Sequence, residues 1–247
     1  MKIGLLGTGN MGRILARKLP AAGHEVKVAN SRGPDSISGD VLEKGARATT
    51  VEDALANVDV VILAMPSTGF EKIRPLIAAL PDDTVLIETS NYLPQRDGHN
   101  PALEAGQVES EWVQEFFGRP VTKAWNSIGS DSFERKGQPR GTPGRIALPV
   151  AADRARDRDI AISLVEDTGF DGYDAGVIAD SWRQQPAAPV YCTDLTREEM
   201  GRALALAEKD RLPIRRSLAF DVIMERIGTG NMPDADFLVR VGRTLYM

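Results

Sequence analysis

The passage KIGLLGTGNMGRILARKL, residues 2–19, constrains the fold more than any other part of this chain. Lys2 to Leu6 reads as a short buried strand, and Met11, Ile14, Leu15 and Leu19 then recur at helical spacing. Gly7, Gly9 and Gly12 between them form G-x-G-x-x-G, placed after a strand and opening a helix. In that context the first glycine allows a tight turn, the second lets a pyrophosphate approach the backbone, and the third lets helix and strand pack closely. Amides at the helix start then face the anion, aided by the helix dipole. The alternative is a glycine turn that binds nothing. Gly23 ends the helix and Glu25–Ala29 is a second strand, so a βαβ unit is complete within about 30 residues. Such crossovers are right-handed and require a parallel sheet.

The alternation continues along the chain. Helices are expected near Ser36–Lys44 and Val51–Asn57 with a short strand around Ala46, then a central strand, Val58–Ala64, apolar on both faces. A helix over Glu71–Leu80, a strand over Thr84–Glu88, a polar loop with Pro94, Gly98 and Pro101, a helix over Glu109–Phe117 and a strand over Val121–Trp125 follow. The stretch GSDSFERKGQPRGTPG reads as a long loop, of the kind that is usually functional or mobile. Arg145–Val150, a helix from Asp153 to Asp167 and an edge strand near Gly172 resume the pattern. The fold class is α/β: a Rossmann-type, doubly wound, mostly parallel sheet over residues 1–180, with a small helical extension over 181–247. The extension is read as two or three helices, at Thr196–Lys209, Ile214–Ile227 and Asp234–Tyr246.

Composition narrows the function. Thirty Lys and Arg against 35 Asp and Glu give a net charge of −5, with no basic surplus to displace counterions from a polyphosphate backbone. Nucleic acid is therefore not the expected partner. The apolar start breaks at Gly7, too early for a signal peptide, and no run is long enough to span a membrane. One cysteine, Cys192, and two histidines, His24 and His99, offer neither an intrachain disulfide nor a tetrahedral zinc site, so no metal is expected and a reducing, cytoplasmic setting is.

The residues ending the second strand choose the nucleotide. An NAD site usually places an acid there, but this chain reads Asn30, Ser31, Arg32. A carboxylate would repel a 2′-phosphate, whereas Ser31 offers a hydrogen bond and Arg32 a guanidinium. NADP is the expected cofactor, although Arg32 could also be a solvated loop residue, and Asp35 lies nearby. Ligands in open α/β sheets bind beyond the carboxyl ends of the strands. That rule gathers Ala64, Met65, Pro66 and Ser67, then Thr89, Ser90 and Asn91, then Ala124, Trp125 and Asn126 into one rim around the ribose and nicotinamide.

The combination GTGNMG, NSRGP, LAMP and KAWNSI resembles the NADPH-dependent coenzyme F420 reductases and their bacterial relatives, over residues 1–180. The amino-terminal domain of that family is also similar to the cytosolic domain of the STEAP ferric reductases. The resemblance implies pyrophosphate on Thr8, Gly9, Asn10 and Met11, the 2′-phosphate on Ser31 and Arg32, and nicotinamide near Met65, Pro66 and the Ala124–Asn126 turn. It also implies direct hydride exchange with a deazaflavin (F420) stacked at about 3–3.5 Å, with FMN or FAD as related acceptors and no obligatory general acid.

No residue pair in the sequence stands out as catalytic. The G-x-x-x-N-x-x-K pattern of 3-hydroxyacid dehydrogenases is missing, and Lys123 is read on a strand, the wrong context for it. His99, in a loop, reads first as a surface residue and His24 as a turn residue. Trp182, Arg183, Gln184 and Gln185 offer either a platform for a second ring or an anchor for the tail. Three functions stay open: hydride transfer to a flavin or deazaflavin, NADP sensing without turnover, and reduction of a small carbonyl or imine. The stripes Leu218, Val222, Ile223, Ile227 and Phe237, Leu238, Val241, Leu245 lead us to expect a homodimer whose tail closes the acceptor side of the pocket. The alternative is that they pack on their own domain.

Overall fold

The strands Val60–Leu63 and Val85–Glu88 are buried at every position, so the sheet they belong to has to be covered on both faces. The computed structural model describes residues 1–228 and 234–247. Its elements run β1 (Lys2–Leu6), α1 (Asn10–Ala21), β2 (Glu25–Ala29), α2 (Gly39–Leu42), β3 (Arg47–Ala48), α3 (Val51–Leu55), β4 (Val60–Leu63), α4 (Phe70–Ala78) and β5 (Val85–Glu88). Next come α5 (Pro94–Asp97), α6 (Pro101–Glu104), α7 (Glu109–Phe117), β6 (Thr122–Lys123), α8 (Ser130–Arg135), β7 (Ala147–Ala152), α9 (Ala155–Asp167) and β8 (Asp171–Asp174). The chain closes with α10 (Arg197–Ala205), α11 (Leu212–Gly228) and α12 (Ala235–Tyr246).

Among the described residues the strands form one sheet in the order β3-β2-β1-β4-β5-β6-β7-β8. Every pairing is parallel except β6 with β7. The order reverses at β1, where β2 lies on one side and β4 on the other, and this is where a doubly wound sheet opens a crevice. Alternation of side chains splits the core between the two faces. Ile3, Leu5, Val26, Val28, Val60 and Ile62 pack under Ile14, Leu15 and Leu19 of α1 and Leu164 and Val165 of α9. Leu6, Val61, Leu63 and Leu86 pack under Phe70, Ile73 and Ile77 of α4 and Val113 and Phe117 of α7.

Two segments read as loops from the sequence hold helical turns. In the long glycine- and proline-rich stretch, Ser130–Arg135 forms α8 because Phe133 inserts fully into the core beside Phe170, Glu134 pairs with Arg17, and Arg135 pairs with Asp131 one turn away. The stretch after β5 holds α5 and α6, each opened by a proline at its first turn, where the missing amide costs nothing. Beyond residue 181 the chain returns to the sheet: Ala147 N donates to Leu195 O at 2.8 Å, and α10 buries Met200 and Ala203 against Ala147 and Val190. In α12, Val241, Leu245 and Tyr246 pack on Ala187 and Ala219 of the same chain. That stripe is spent internally, whereas α11 buries only Leu212 and Ala219.

Candidate functional site

Backbone geometry forces the glycine turn after β1. Gly7 adopts φ +113°, and a Cβ there would lie 2.2 Å from the Ala64 carbonyl oxygen. A Cβ on Gly12 would lie 2.0 Å from the Gly7 oxygen. At Gly9, by contrast, nothing comes within 4 Å of that position, so the space over the turn is open. Gly9 is also the N-cap of α1 and supplies no side chain to bond the first-turn amides, and the first turn carries no acid. An anion is what that helix start accommodates.

The opening leads into a cleft of about 620 Å³ between the β1–α1 turn, the end of β2 and the β4–α4 segment. Gly7, Thr8, Gly9, Asn30, Ser31, Arg32, Ala64, Met65 and Pro66 all line it, with Lys72 and Glu52, which the sequence did not single out. Their helices identify neither: Lys72 follows α4's ordinary polar face and Glu52 its own first turn. Arg32 is exposed at the cleft and forms no ion pair among the described residues. Asn30 is a strut. Its amide donates to Thr8 Oγ1 at 3.2 Å and its oxygen accepts from the Arg32 amide at 2.9 Å, tying the glycine turn to the turn that carries the guanidinium.

A second cavity of about 400 Å³ meets the first along Gly9, Ala64, Met65 and Pro66. Asn10, Met11, Thr89, Ser90, Asn91, Trp125 and Asn126 line it, so the rim expected from the strand ends is assembled. Three of its expected members act differently. Ser67, half-buried in the turn after Pro66, lines neither cavity. Ala124 is fully buried away from the cavity, because it continues the β6 backbone, its amide bonding Glu88 O at 3.3 Å. Trp125 is also fully buried: its indole donates to Thr168 Oγ1 at 3.2 Å, and φ of +56° turns the backbone toward the cavity while the ring enters the core. Gly12 lies off both cavities, as its packing role requires.

Hydrogen bonds lock the rim. Asn91 Nδ2 donates to Asn126 O at 2.8 Å, Asn126 Nδ2 donates to Asn91 Oδ1 at 3.0 Å and Gln184 O at 2.7 Å, and Gln184 Nε2 donates to Asn126 Oδ1 at 2.9 Å. Gln184 therefore anchors the tail. Trp182 holds the Arg183 guanidinium over its ring at 4.4 Å, and none of Trp182–Gln185 lines either cavity, so the segment offers no ring platform there. His99 pairs with Glu104 at 2.6 Å and His24 with Asp167 at 3.1 Å, both away from the two cavities.

Beneath the rim lies a charged cluster invisible to motif reading. Lys123 and Glu88 are both fully buried, with Nζ to Oε1 at 2.8 Å. Lys123 also donates to Ser90 O at 2.7 Å, Glu88 accepts from Ser90 N and Oγ and from Ser110 Oγ, and Glu109 comes within 3.5 Å of the ammonium. Burial pushes the Glu109 carboxyl up to about 7, against the pull of Lys123 and with the push of Glu88. The cluster pins Ser90 and Asn91 from below.

The tail completes the second cavity with Tyr191, Cys192 and Leu238, and α5 adds Arg96. Burial holds the Cys192 thiol up at about 12 and raises the Tyr191 phenol well above its ordinary value. Among the described residues no cluster of three or more His, Cys, Asp and Glu is placed to hold a metal ion, and no helix is long and apolar enough to cross a membrane.

Comparison with known proteins agrees with the turn and cleft. Residues 2–92 match the family NADP oxidoreductase, coenzyme F420-dependent, so the resemblance carried by GTGNMG, NSRGP and LAMP is shown over that segment. Protein YjhV of Escherichia coli is 48% identical over 71 residues, 29% of this chain and 52% of that protein. Metalloreductase STEAP3 of Rattus norvegicus is 25% identical over 190 residues, 76% of this chain and 36% of that protein. The chain thus spans about half, or less, of the length of these relatives. A solved structure from Arthrobacter sp. designated an F420-dependent NADP-reductase superposes with a TM-score of 0.55 at 25% identity, covering 73% of this chain and 87% of that one. The fold is that of the Rossmann-type reductases, and the matched segment is that of an NADP oxidoreductase family.

Proposed function

We propose that this chain is an NADP(H)-dependent oxidoreductase that passes hydride between NADPH, lying in the first cavity with its nicotinamide end reaching into the second, and an acceptor in the second. The junction of the two cavities at Gly9, Ala64, Met65 and Pro66 carries this reading, because a nicotinamide extending from the glycine turn would reach that seam with the acceptor on its far side. The residues fit the nucleotide: open space over Gly9, an uncapped helix start for the pyrophosphate, and Ser31 and Arg32 for the 2′-phosphate. When bound, the nucleotide supplies hydride. The chain's own residues bind and orient it: the Asn30 strut fixes the Arg32 turn, and the Asn91–Asn126–Gln184 network holds the acceptor wall.

The family match favours F420 as acceptor, and a flavin, with a related ring system, is the next candidate. One observation favours a second reading, a small carbonyl or imine: a protonated tyrosine lines the acceptor cavity. Stopped-flow oxidation of NADPH by the purified chain, against F420, FMN, FAD, an aldehyde and a cyclic imine, tests the function. Oxidation by at least one acceptor is expected, with Gly9→Val abolishing it because the new side chain fills the space over the turn. NADPH binding without oxidation by any acceptor would leave the chain a nucleotide sensor. We further propose a homodimer formed through α11, whose exposed apolar residues have no cover in the monomer.

A further inference from the structure

Arg96 on α5 is the single charged side chain in the described lining of the second cavity. Hydrogen bonds fix where its guanidinium stands. Nη2 donates to Asn91 O at 2.6 Å, and Asn91 is itself part of the cavity wall. Asp97 takes the adjoining edge, with Nε donating to Oδ1 at 2.7 Å and Nη2 to Oδ2 at 2.8 Å. The Asp97 side chain is 1% exposed and accepts from Leu93 N at 2.9 Å, so the acid that grips the guanidinium is held in its turn. A guanidinium has five N–H donors, and these bonds use the one on Nε and both on Nη2. The two on Nη1 have no partner among the described residues, and with the side chain 46% exposed a ligand can reach them.

The polar wall around Arg96 has its own donors spent. Thr89 Oγ1 donates to Leu63 O, Ser90 Oγ to Glu88, and the Asn91 and Asn126 amides to each other and to Gln184 O. An arginine whose fork is held by the protein while its last nitrogen stays open is a preorganised oxyanion anchor, because a ligand does not have to order that side chain. Asp97 weakens the anchor without cancelling it. A ligand oxyanion would sit about 3 Å from Nη1 and about 6 Å from the carboxylate on the opposite edge, so with Coulomb energy falling as 1/r the attraction is about twice the repulsion.

Sheet order decides which ligand meets this nitrogen. The glycine turn follows β1, whereas Asn91 and Arg96 follow β5, two strands away in the order β1-β4-β5. Strands lie about 4.8 Å apart, which puts the guanidinium on the order of 10 Å from the pyrophosphate turn, beyond the seam at Gly9 and Met65. We infer that Arg96 anchors an oxyanion of the hydride acceptor, so that the site takes acceptors carrying a carboxylate or a phosphate. This rests on the NADPH reading above and narrows it: of two molecules with the same reducible group, the anionic one is the substrate. Asp97 and the Asn91 carbonyl are the positioning groups that leave Nη1 open to it.

Matched pairs differing in one charged group test this on the full chain saturated with NADP⁺, which has no hydride to give, so binding is read without turnover. FMN against riboflavin, followed by flavin fluorescence, probes phosphate, and 2-oxobutanoate against 2-oxobutanamide, followed by calorimetry, probes carboxylate. We expect the anion of at least one pair to bind about tenfold more tightly than its neutral twin, the range of one charge-assisted hydrogen bond, and the pair that does so names the group. Arg96→Met should bring that ratio within about twofold of one, while the neutral twin stays within about threefold and NADPH within about twofold of their unmutated affinities. Methionine leaves the buried Asp97 carboxylate without its cation, so Arg96→Gln combined with Asp97→Asn, which removes both charges, takes its place if the single variant does not fold, with the same loss expected. A ratio below about twofold in both pairs, no binding of any probe, or a preference that survives loss of the guanidinium overturns the inference and leaves the nucleotide reading standing. A fall of about tenfold in NADPH affinity in either variant assigns the guanidinium to the nucleotide and overturns the inference as well. Failure of the unmutated chain to bind either NADPH or NADP⁺ overturns the nucleotide reading itself.

Discussion

Arg32 is an exposed cation at the mouth of a cleft, and its value there depends on what its neighbours do with their hydrogen bonds. Asn30 spends both ends of its amide on Thr8, Ser36 and the Arg32 backbone, so the turn is held without occupying the guanidinium. A hydrogen-bonded ion pair to a 2′-phosphate is worth about 1.5–3 kcal/mol. NADPH should therefore bind at least about tenfold more tightly than NADH, and Arg32→Asp should reverse most of that difference. Calorimetry on both proteins with both nucleotides measures it. Equal affinities in the unmutated chain would return Arg32 to the solvated loop residue it also resembles.

At the level of elements, β5, β6 and α7 meet over charges. Lys123 on β6 reaches Glu88 on β5 and Glu109 at the start of α7, and Arg216 of α11 adds a weaker attraction to Glu109. Two buried acidic side chains share one ammonium, and desolvation keeps a proton on Glu109 up to about pH 7. The unfolded chain releases that proton near its ordinary value of 4.5. Between those limits the folded state binds more protons, so Glu109 makes stability fall as pH rises, on the order of 3 kcal/mol in total. Glu109→Gln, neutral at every pH, should remove this slope. Denaturant melts at pH 5 and pH 8 should show the unmutated protein losing more stability than the variant. Parallel pH dependences would mean that Glu109 is ionised in the fold throughout.

On the scale of the whole molecule, α11 is the exception to an otherwise well-covered chain. Ile214, Leu218, Val222 and Met224 are 65%, 48%, 42% and 46% exposed, whereas the α12 stripe that accompanied them in the sequence reading is packed at home. A second copy meeting this face in a two-fold arrangement would bury it, and closed two-fold dimers are the commonest soluble assembly. Light scattering at micromolar concentration should give twice the chain mass, and Leu218→Glu with Val222→Glu should give the chain mass with the nucleotide affinity intact. A monomeric unmutated protein sinks the dimer.

What the sequence settled was whatever depends on neighbours along the chain. G-x-G-x-x-G, its flanking strand and helix, and the absence of an acid at Asn30–Arg32 are local patterns, and each stands in the structure at the site where it was read. The rim at Met65, Thr89, Asn91 and Asn126 was legible as well, because strand ends in a parallel sheet must share one edge. α8 was missed because Phe133 is helical on account of a core it reaches only in three dimensions, and glycine and proline around it hide that. Lys123, Glu88 and Glu109 carry no spacing signal, since they lie on three elements that pairing and packing bring within 3.5 Å. Tyr191 came into view last. Its distance from Gly9 in sequence is erased only when its loop, left-handed at Cys192 and Asp194, is clamped to Ser127, a contact whose energy belongs to the folded state and to no local segment.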